Sequence, residues 1–176
     1  MDLERVVPLV VDILEGDGHP FALAGALGLH AHGITRATTD LDLVTVREAQ
    51  GALVGSLERA GYETLYRSEG YSNHVHSDPL LGRVDIIYVD GETSRRLFGG
   101  CRKHLNVAGR RLPVPKPEHL IAMKVQAIKN DPRRAFKDLA DVQTLMRLPG
   151  IDDAEIRGYF ERAGLEDRYD ELKRLS

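Results

Sequence analysis

Residues 39–46, TDLDLVTV, carry a pattern that one kind of element satisfies. On a β-strand, alternate side chains point to opposite faces, so Asp40 and Asp42 project together about 7 Å apart along the chain. Leu41 and Leu43 go the other way, into a core. Two neighbouring carboxylates repel, and partly buried they raise one another's pKa unless a cation lies between them. The economical remedy is a hard divalent metal. Mg²⁺ accepts oxygen from one or two carboxylates together with substrate phosphates, the arrangement that two-metal phosphoryl chemistry uses; Mn²⁺ takes the same oxygen ligands.

That reading expects a third acid on a neighbouring strand. In RVDIIYVD (83–90), Asp85 alternates with Val84 and Ile86, so it leaves the strand on the side opposite those apolar residues and joins the pair if the two strands are adjacent. Asp90 is the competitor, but it stands at the strand's end beside Gly91, where a turn aspartate is the better reading. Gly25, between Ala24 and Ala26, lies at a strand-to-helix turn, where backbone N–H groups can hold a phosphate. Taken alone, that turn reads equally well as a packing device.

The remaining elements follow from periodicity. Leu3, Val6, Val7, Val10 and Leu14 are spaced as one face of a helix, which Pro8 either kinks or truly starts. FALAG (21–25) is a short strand, ALGLHAH a helix of barely two turns, and REAQGALVGSLERAGY a helix closed by Gly61. YETLYRS and YSNHVHS form two strands about Glu69-Gly70. A short helix near TSRRLF follows RVDIIYVD, and then an extended pair, KHLNV and RLPVP, turns at Ala108-Gly109. From Pro117 onward the pattern is helical: 117–130, 133–147, 152–163 and 166–174. The expected fold class is α+β, a mixed β-sheet flanked by helices (1–115) followed by a C-terminal helical region packed on it (116–176) as one compact unit.

Composition narrows the field. With 42% hydrophobic and 29% charged residues the chain is ordinary for a globular protein, and no run approaches the eighteen apolar residues of a membrane span. Asp2 and Glu4 stand where a secretory leader needs basic residues, so a cytoplasmic location is expected. The lone Cys101 excludes an intrachain disulfide. Net charge is −3, yet twelve of the 24 Lys and Arg residues fall between Arg95 and Lys137, against only Glu118 and Asp131. Such a segment either faces an anion, a nucleotide or RNA, or is a set of solvated charges. His74 and His76 share a strand face without an evident third ligand and read as surface histidines; His30 and His32 fall on different faces of a helix.

LAGALGLHAHGITRATTDLDLV, VDIIYV and KPEHLIAMKVQAI…RRAFKDLADVQTL together resemble the nucleotidyltransferase-fold superfamily that includes the DNA polymerase β-like enzymes. Within it the likeness is to AbiEii-type toxins and related small bacterial nucleotidyltransferases, over roughly residues 20 to 147. The family's Gly-Gly or Gly-Ser turn is matched by Gly25-Ala26, with Ala26 departing from the usual second residue, and its D-x-D by Asp40 and Asp42. The stretch HG-x-x-R-x-T-x-D matches His32, Gly33, Arg36, Thr38 and Asp40.

The resemblance implies an enzyme that moves an NMP from an NTP to an acceptor hydroxyl. Asp40, Asp42 and Asp85 would be the catalytic and metal-binding acids. Gly25, Ala26, Arg36, Thr38, Lys124, Lys137 and Asp138, with Asp141 nearby, would lie toward the nucleotide. It also implies RNA, such as a tRNA 3′ end, as acceptor and an antitoxin protein as partner. The residues bear independently on Lys124, which sits among Leu120, Ile121, Val125 and Ile128 and must there find an anion or snorkel. Three other readings stay open: a small-molecule acceptor as in antibiotic-modifying enzymes, a metal-dependent hydrolase using the same acids, and a non-catalytic nucleotide-binding relative.

Overall fold

In the computed structural model, which describes residues 1–174, the chain divides into two compact units, 1–115 and 116 onward. The first unit holds helix α1 (Leu3–Gly16), strand β1 (Phe21–Leu23), helix α2 (Gly25–Ala31), strand β2 (Asp40–Val46) and helix α3 (Gln50–Arg59). Strands β3 (Tyr62–Arg67), β4 (Tyr71–His76) and β5 (Arg83–Val89), helix α4 (Gly91–Gly99) and strands β6 (Lys103–Val107) and β7 (Arg110–Val114) complete it. The second unit is helical: α5 (Pro117–Asn130), α6 (Ala135–Met146), α7 (Asp153–Ala163) and α8 (Glu166–Arg174).

Five strands make one mixed sheet in the order β1-β2-β5-β4-β3, and β6 and β7 form a separate ribbon. β2 and β5 run parallel; every other neighbouring pair is antiparallel. The apolar alternation sets the covered face. Leu41 and Leu43 of β2 and Val84 and Ile86 of β5 are fully buried in one cluster with Val6, Val7, Val10, Val11 and Leu14 of α1 and Leu53 and Leu57 of α3. Each such side chain contributes about 1.5–3 kcal/mol on leaving water. Pro8 lies inside α1, which runs unbroken from Leu3, so it interrupts one backbone hydrogen bond rather than starting the helix.

Two sequence expectations change. The strand read over 21–25 stops at Leu23 and Gly25 already opens α2, because its φ of +50° turns the chain out of the sheet. Helix α6 starts at Ala135, since Asp131 caps a single turn over Pro132–Arg134 first.

In the second unit, Leu120, Ile121, Val125 and Ile128 of α5 are buried, as are Val142 and Leu145 of α6 and Ile156 and Phe160 of α7. Asp152 caps α7 by accepting from the Glu155 amide at 3.0 Å, and the rings of Phe160 and Tyr169 meet at a tilt, 5.8 Å apart, joining α7 to α8.

Candidate active site

The sheet face opposite the apolar cluster carries the acids. In the parallel β2–β5 ladder Asp42 is the direct partner of Asp85 and Asp40 that of Arg83; in the antiparallel β5–β4 ladder Asp85 is opposite Asn73. Directly opposed residues share a face, and neighbouring strands lie about 4.8 Å apart. Asp42, Asp85 and Asn73 therefore form one row across three strands, with Asp40 two residues back along β2. The adjacency on which the third acid depended is present. Asp90, the competitor, is exposed at the end of β5 and pairs with Arg47 at 2.9 Å.

Gly25 closes the row on the far side. A Cβ placed on it would fall 1.9 Å from Asp42 Oδ2, so the Asp42 carboxylate occupies the space that any other residue's side chain would need. The Ala24 amide fastens this turn to the Asp42 carbonyl at 2.9 Å. Ala26 follows in the first turn of α2. Thr38 is turned inward on the chain: its hydroxyl donates to the Asp40 carbonyl at 2.9 Å and accepts from the Asp40 amide at 3.1 Å. Thr39, unremarked in the sequence, donates to Asp40 Oδ1 at 3.0 Å. Arg36 lies in the same loop, between α2 and β2, half-buried.

Two more residues of the site escaped the sequence reading. Asn73 Nδ2 donates to Asp85 Oδ1, and Tyr71, on the same face of β4, has its hydroxyl 3.5 Å from the same Asn73 nitrogen. The alternation in YSNHVHS puts Tyr71 and Asn73 on one face, a signal that was present but carried no apolar contrast to rank it. Burial lifts the Asp85 carboxyl above the ordinary carboxylate range; the Asn73 hydrogen bond, Arg83 and the Tyr71 hydroxyl draw it down, and the Asp40 charge adds to the rise. Burial, reinforced by the charge of Asp85, raises the Tyr71 phenol as well. A half-buried carboxylate with a raised pKa is a stronger base than an ordinary carboxylate.

The donors at this face are oxygens, the three carboxylates foremost, which suit a hard divalent cation and not a soft one. The space left by the missing Gly25 side chain is filled by the Asp42 carboxylate itself. Among the described residues no three His, Cys, Asp or Glu side chains are gathered closely enough to hold an ion as they stand, so Asp40 and Asp42 would have to turn toward Asp85 to share it.

The second unit assembles the other predicted residues around Lys124. Its Nζ donates to Asp138 Oδ1 at 3.0 Å and Asp141 Oδ2 at 2.6 Å, and Arg134 reaches Asp138 at 3.1 Å. Asp138 is almost fully buried, so Lys124 finds its anions on α6 and does not snorkel. Lys137, next in sequence to Asp138, is exposed. The basic segment is also less basic when folded: Arg96, Arg110, Lys116, Lys124, Arg133 and Arg134 all pair with acids.

The histidines need correction. His74 is completely buried, on the covered face of β4, where it binds Ser72 Oγ at 2.8 Å and Thr64 Oγ1 at 3.1 Å. Thr64 donates to Glu58 and Ser72 meets the Tyr88 hydroxyl at 2.8 Å, so one chain of hydrogen bonds crosses the sheet. Because Thr64 spends its proton on Glu58, His74 carries its own proton on Nδ1 and accepts at Nε2. His76 is half-buried and accepts from the Asp78 amide; His32 is buried and bonds the Pro115 carbonyl at 2.9 Å. A depression of about 300 Å³ lined by His19, Pro20, Phe21, Phe98, Cys101 and Pro113 lies away from the acids. Burial pushes its Cys101 thiol up to about 11, which leaves it a poor nucleophile.

No protein-family model and no curated protein matches this chain. Solved structures do. The solution structure of the antibiotic-resistance factor ANT(2'')-Ia superposes with a TM-score of 0.65 at 17% identity, covering 99% of this chain and 97% of that one. The lincosamide antibiotic adenylyltransferase LnuA, with lincomycin bound, gives 0.55 at 14% identity over 82% of this chain and 96% of its own. An antigenic nucleotidyltransferase-like protein of Paracoccidioides brasiliensis gives 0.55 at 16% identity, covering 96% of this chain and 92% of its own. At such identities the likeness is one of fold: this is a nucleotidyltransferase fold, α+β with a five-stranded mixed sheet.

Proposed function

We propose that this chain is a metal-dependent nucleotidyltransferase, which moves an NMP from an NTP to an acceptor hydroxyl. The carrying observation is the register that sets Asp85 directly beside Asp42, with Asp40 on the same face. Asp40, Asp42 and Asp85 would hold Mg²⁺ or Mn²⁺, which when bound neutralises phosphate charge and acidifies the acceptor hydroxyl. Asp85, its pKa raised by burial, takes the acceptor's proton. The freed oxygen forms a bond to the α-phosphorus, the bridging bond to the β-phosphate breaks, and pyrophosphate leaves. Thr38 and Thr39 hold Asp40 in place during this step, Gly25 and Ala26 let the nucleotide approach the backbone, and Arg36 offers positive charge to the phosphates. Asp138 acts on Lys124, fixing its ammonium within the helical unit.

RNA is the acceptor we favour, such as a tRNA 3′ end, in a toxin role with an antitoxin protein as partner. Its support is the basic stretch, in which Arg95, Arg102, Lys103, Arg111, Lys129 and Lys137 are exposed. A small-molecule hydroxyl is the second reading, favoured by the fold shared with the antibiotic-modifying LnuA and by the ion pairs that neutralise half of the stretch.

The test incubates the protein with Mg²⁺, each α-³²P-labelled NTP and total tRNA, with Asp42→Asn alongside. Label on RNA that the variant fails to add supports the first reading. Label released as free nucleotide makes the chain a hydrolase, and label on aminoglycoside or lincosamide acceptors instead of RNA supports the second reading. An Asp42→Asn protein with full activity overturns the mechanism.

A further inference from the structure

Asn73 is buried, with 7% of its surface exposed, in a row otherwise made of acids. An ionised carboxylate only accepts, so the amide nitrogen of Asn73, not its oxygen, faces Asp85. That contact engages Oδ1, and the Tyr71 hydroxyl hydrogen-bonds the same carboxylate. The second hydrogen on the same nitrogen points toward the Tyr71 hydroxyl. Without this donor, Asp85 would have two like-charged neighbours, Asp42 directly opposite and Asp40 close by, with the Tyr71 hydroxyl left to oppose their push from β4. A free carboxylate turns away from such neighbours, and a turned carboxylate cannot share a cation with them.

We infer that Asn73 is a positioning residue, an outer ligand-orienting group that fixes the rotation of the Asp85 carboxylate so that it serves the cation held with Asp40 and Asp42. This rests on the nucleotidyltransferase reading above, because it takes the three acids as the cation's ligands. The chemistry matches the role such partners play elsewhere: they hold a ligand's orientation, and their loss weakens metal affinity by roughly 10- to 100-fold. The effect is expected to pass through Asp85, the acid to which Asn73 donates.

The experiment titrates Mn²⁺ into the protein and follows loss of the free-ion EPR signal, for wild type, Asn73→Leu, Asn73→Ser, Asp85→Asn and the Asn73→Leu/Asp85→Asn double variant. Leucine keeps the volume and removes the donor; serine is too short to reach Asp85 and stands in if the leucine variant gives no cooperative melt. The expected result is Mn²⁺ affinity lowered roughly 10- to 100-fold by either Asn73 variant, with no further loss when Asn73→Leu is added to Asp85→Asn. Wild-type affinity in both Asn73 variants overturns the inference and leaves the transferase reading standing. The same loss in the Asp85→Asn background also overturns it, because Asn73 would then act on the fold at large. A wild-type protein that binds no Mn²⁺, with or without NTP, overturns the reading and the inference together.

Discussion

The two faces of the central sheet are written in the same strands, one residue apart, yet obey opposite rules. On the covered face Leu41, Leu43, Val84 and Ile86 have no exposed surface, and even its polar residues, Ser72, His74 and Tyr88, complete a closed hydrogen-bond chain. On the other face Asp40, Asp42 and Asp85 are half-buried carboxylates on neighbouring strand positions, Asp40 steadied by a donor from Thr39 and Asp85 by one from Asn73. The first arrangement minimises the free energy of the fold. The second raises it, and clustered like charges held that way are a mark of a site built to receive a partner of opposite charge.

Substitutions on the two faces should therefore separate activity from stability. Asp42→Asn is expected to lower kcat by roughly 10³-fold in the labelled-NTP assay, while its thermal midpoint stays level or rises through relief of repulsion; a lowered midpoint would make the acid a structural residue. One position along, Leu43→Ala should do the reverse, costing about 2–5 kcal/mol in urea unfolding with kcat per folded molecule retained.

Gly25→Ala joins the two effects. A φ of +50° strains any L-residue by about 1–3 kcal/mol, and the new Cβ also drives Asp42 from its place, so stability and turnover should fall together. Should Gly25→Ala be inert, the turn does not set the carboxylate.

The closed chain on the covered face sharpens the comparison through pH. Burial, chiefly, and Arg67 lower the pKa of His74, against the pull of Glu58. The unfolded chain then binds a proton that the folded one refuses. Stability from this group is complete above the unfolded value near 6.5 and is lost as pH falls below it, by at most about 1.4 kcal/mol per unit. Buried His119 has the same sign and Asp85, its pKa raised, the opposite. The informative quantity is consequently the difference in urea midpoint between wild type and His74→Gln across pH 5–7, which should narrow as pH falls. The smallest effect belongs to neither face: Arg47→Ala removes exposed pairs with Glu69 and Asp90 and should cost under about 1 kcal/mol.

Strong apolar alternation made β2 and β5 legible from sequence, and the residues out of phase with that alternation were the acids themselves. The order of strands was not legible: β5 lies between β2 and β4, and only that placement turns Asp85 and Asn73 into neighbours. His74 was misjudged because β4 is polar on both faces, so periodicity grouped its residues without telling which group faces the core. The pairing within the basic stretch was not legible for another reason. Its partners include Asp12 and Glu15, some hundred residues away from Arg110, and no local count of charge anticipates pairing at that separation.

The ladder that aligns Asp42 with Asp85 also sets how this chain tolerates changes of length. One residue inserted or deleted within β5 would shift its register and exchange the faces, sending Asp85 into the apolar cluster and Ile86 out to the acids. A residue added at the tip between β6 and β7, at Ala108-Gly109, would disturb no such alignment. Drift among descendants of this sequence should accordingly lengthen its ribbon tip freely, while the spacing from Arg83 to Val89 stays locked.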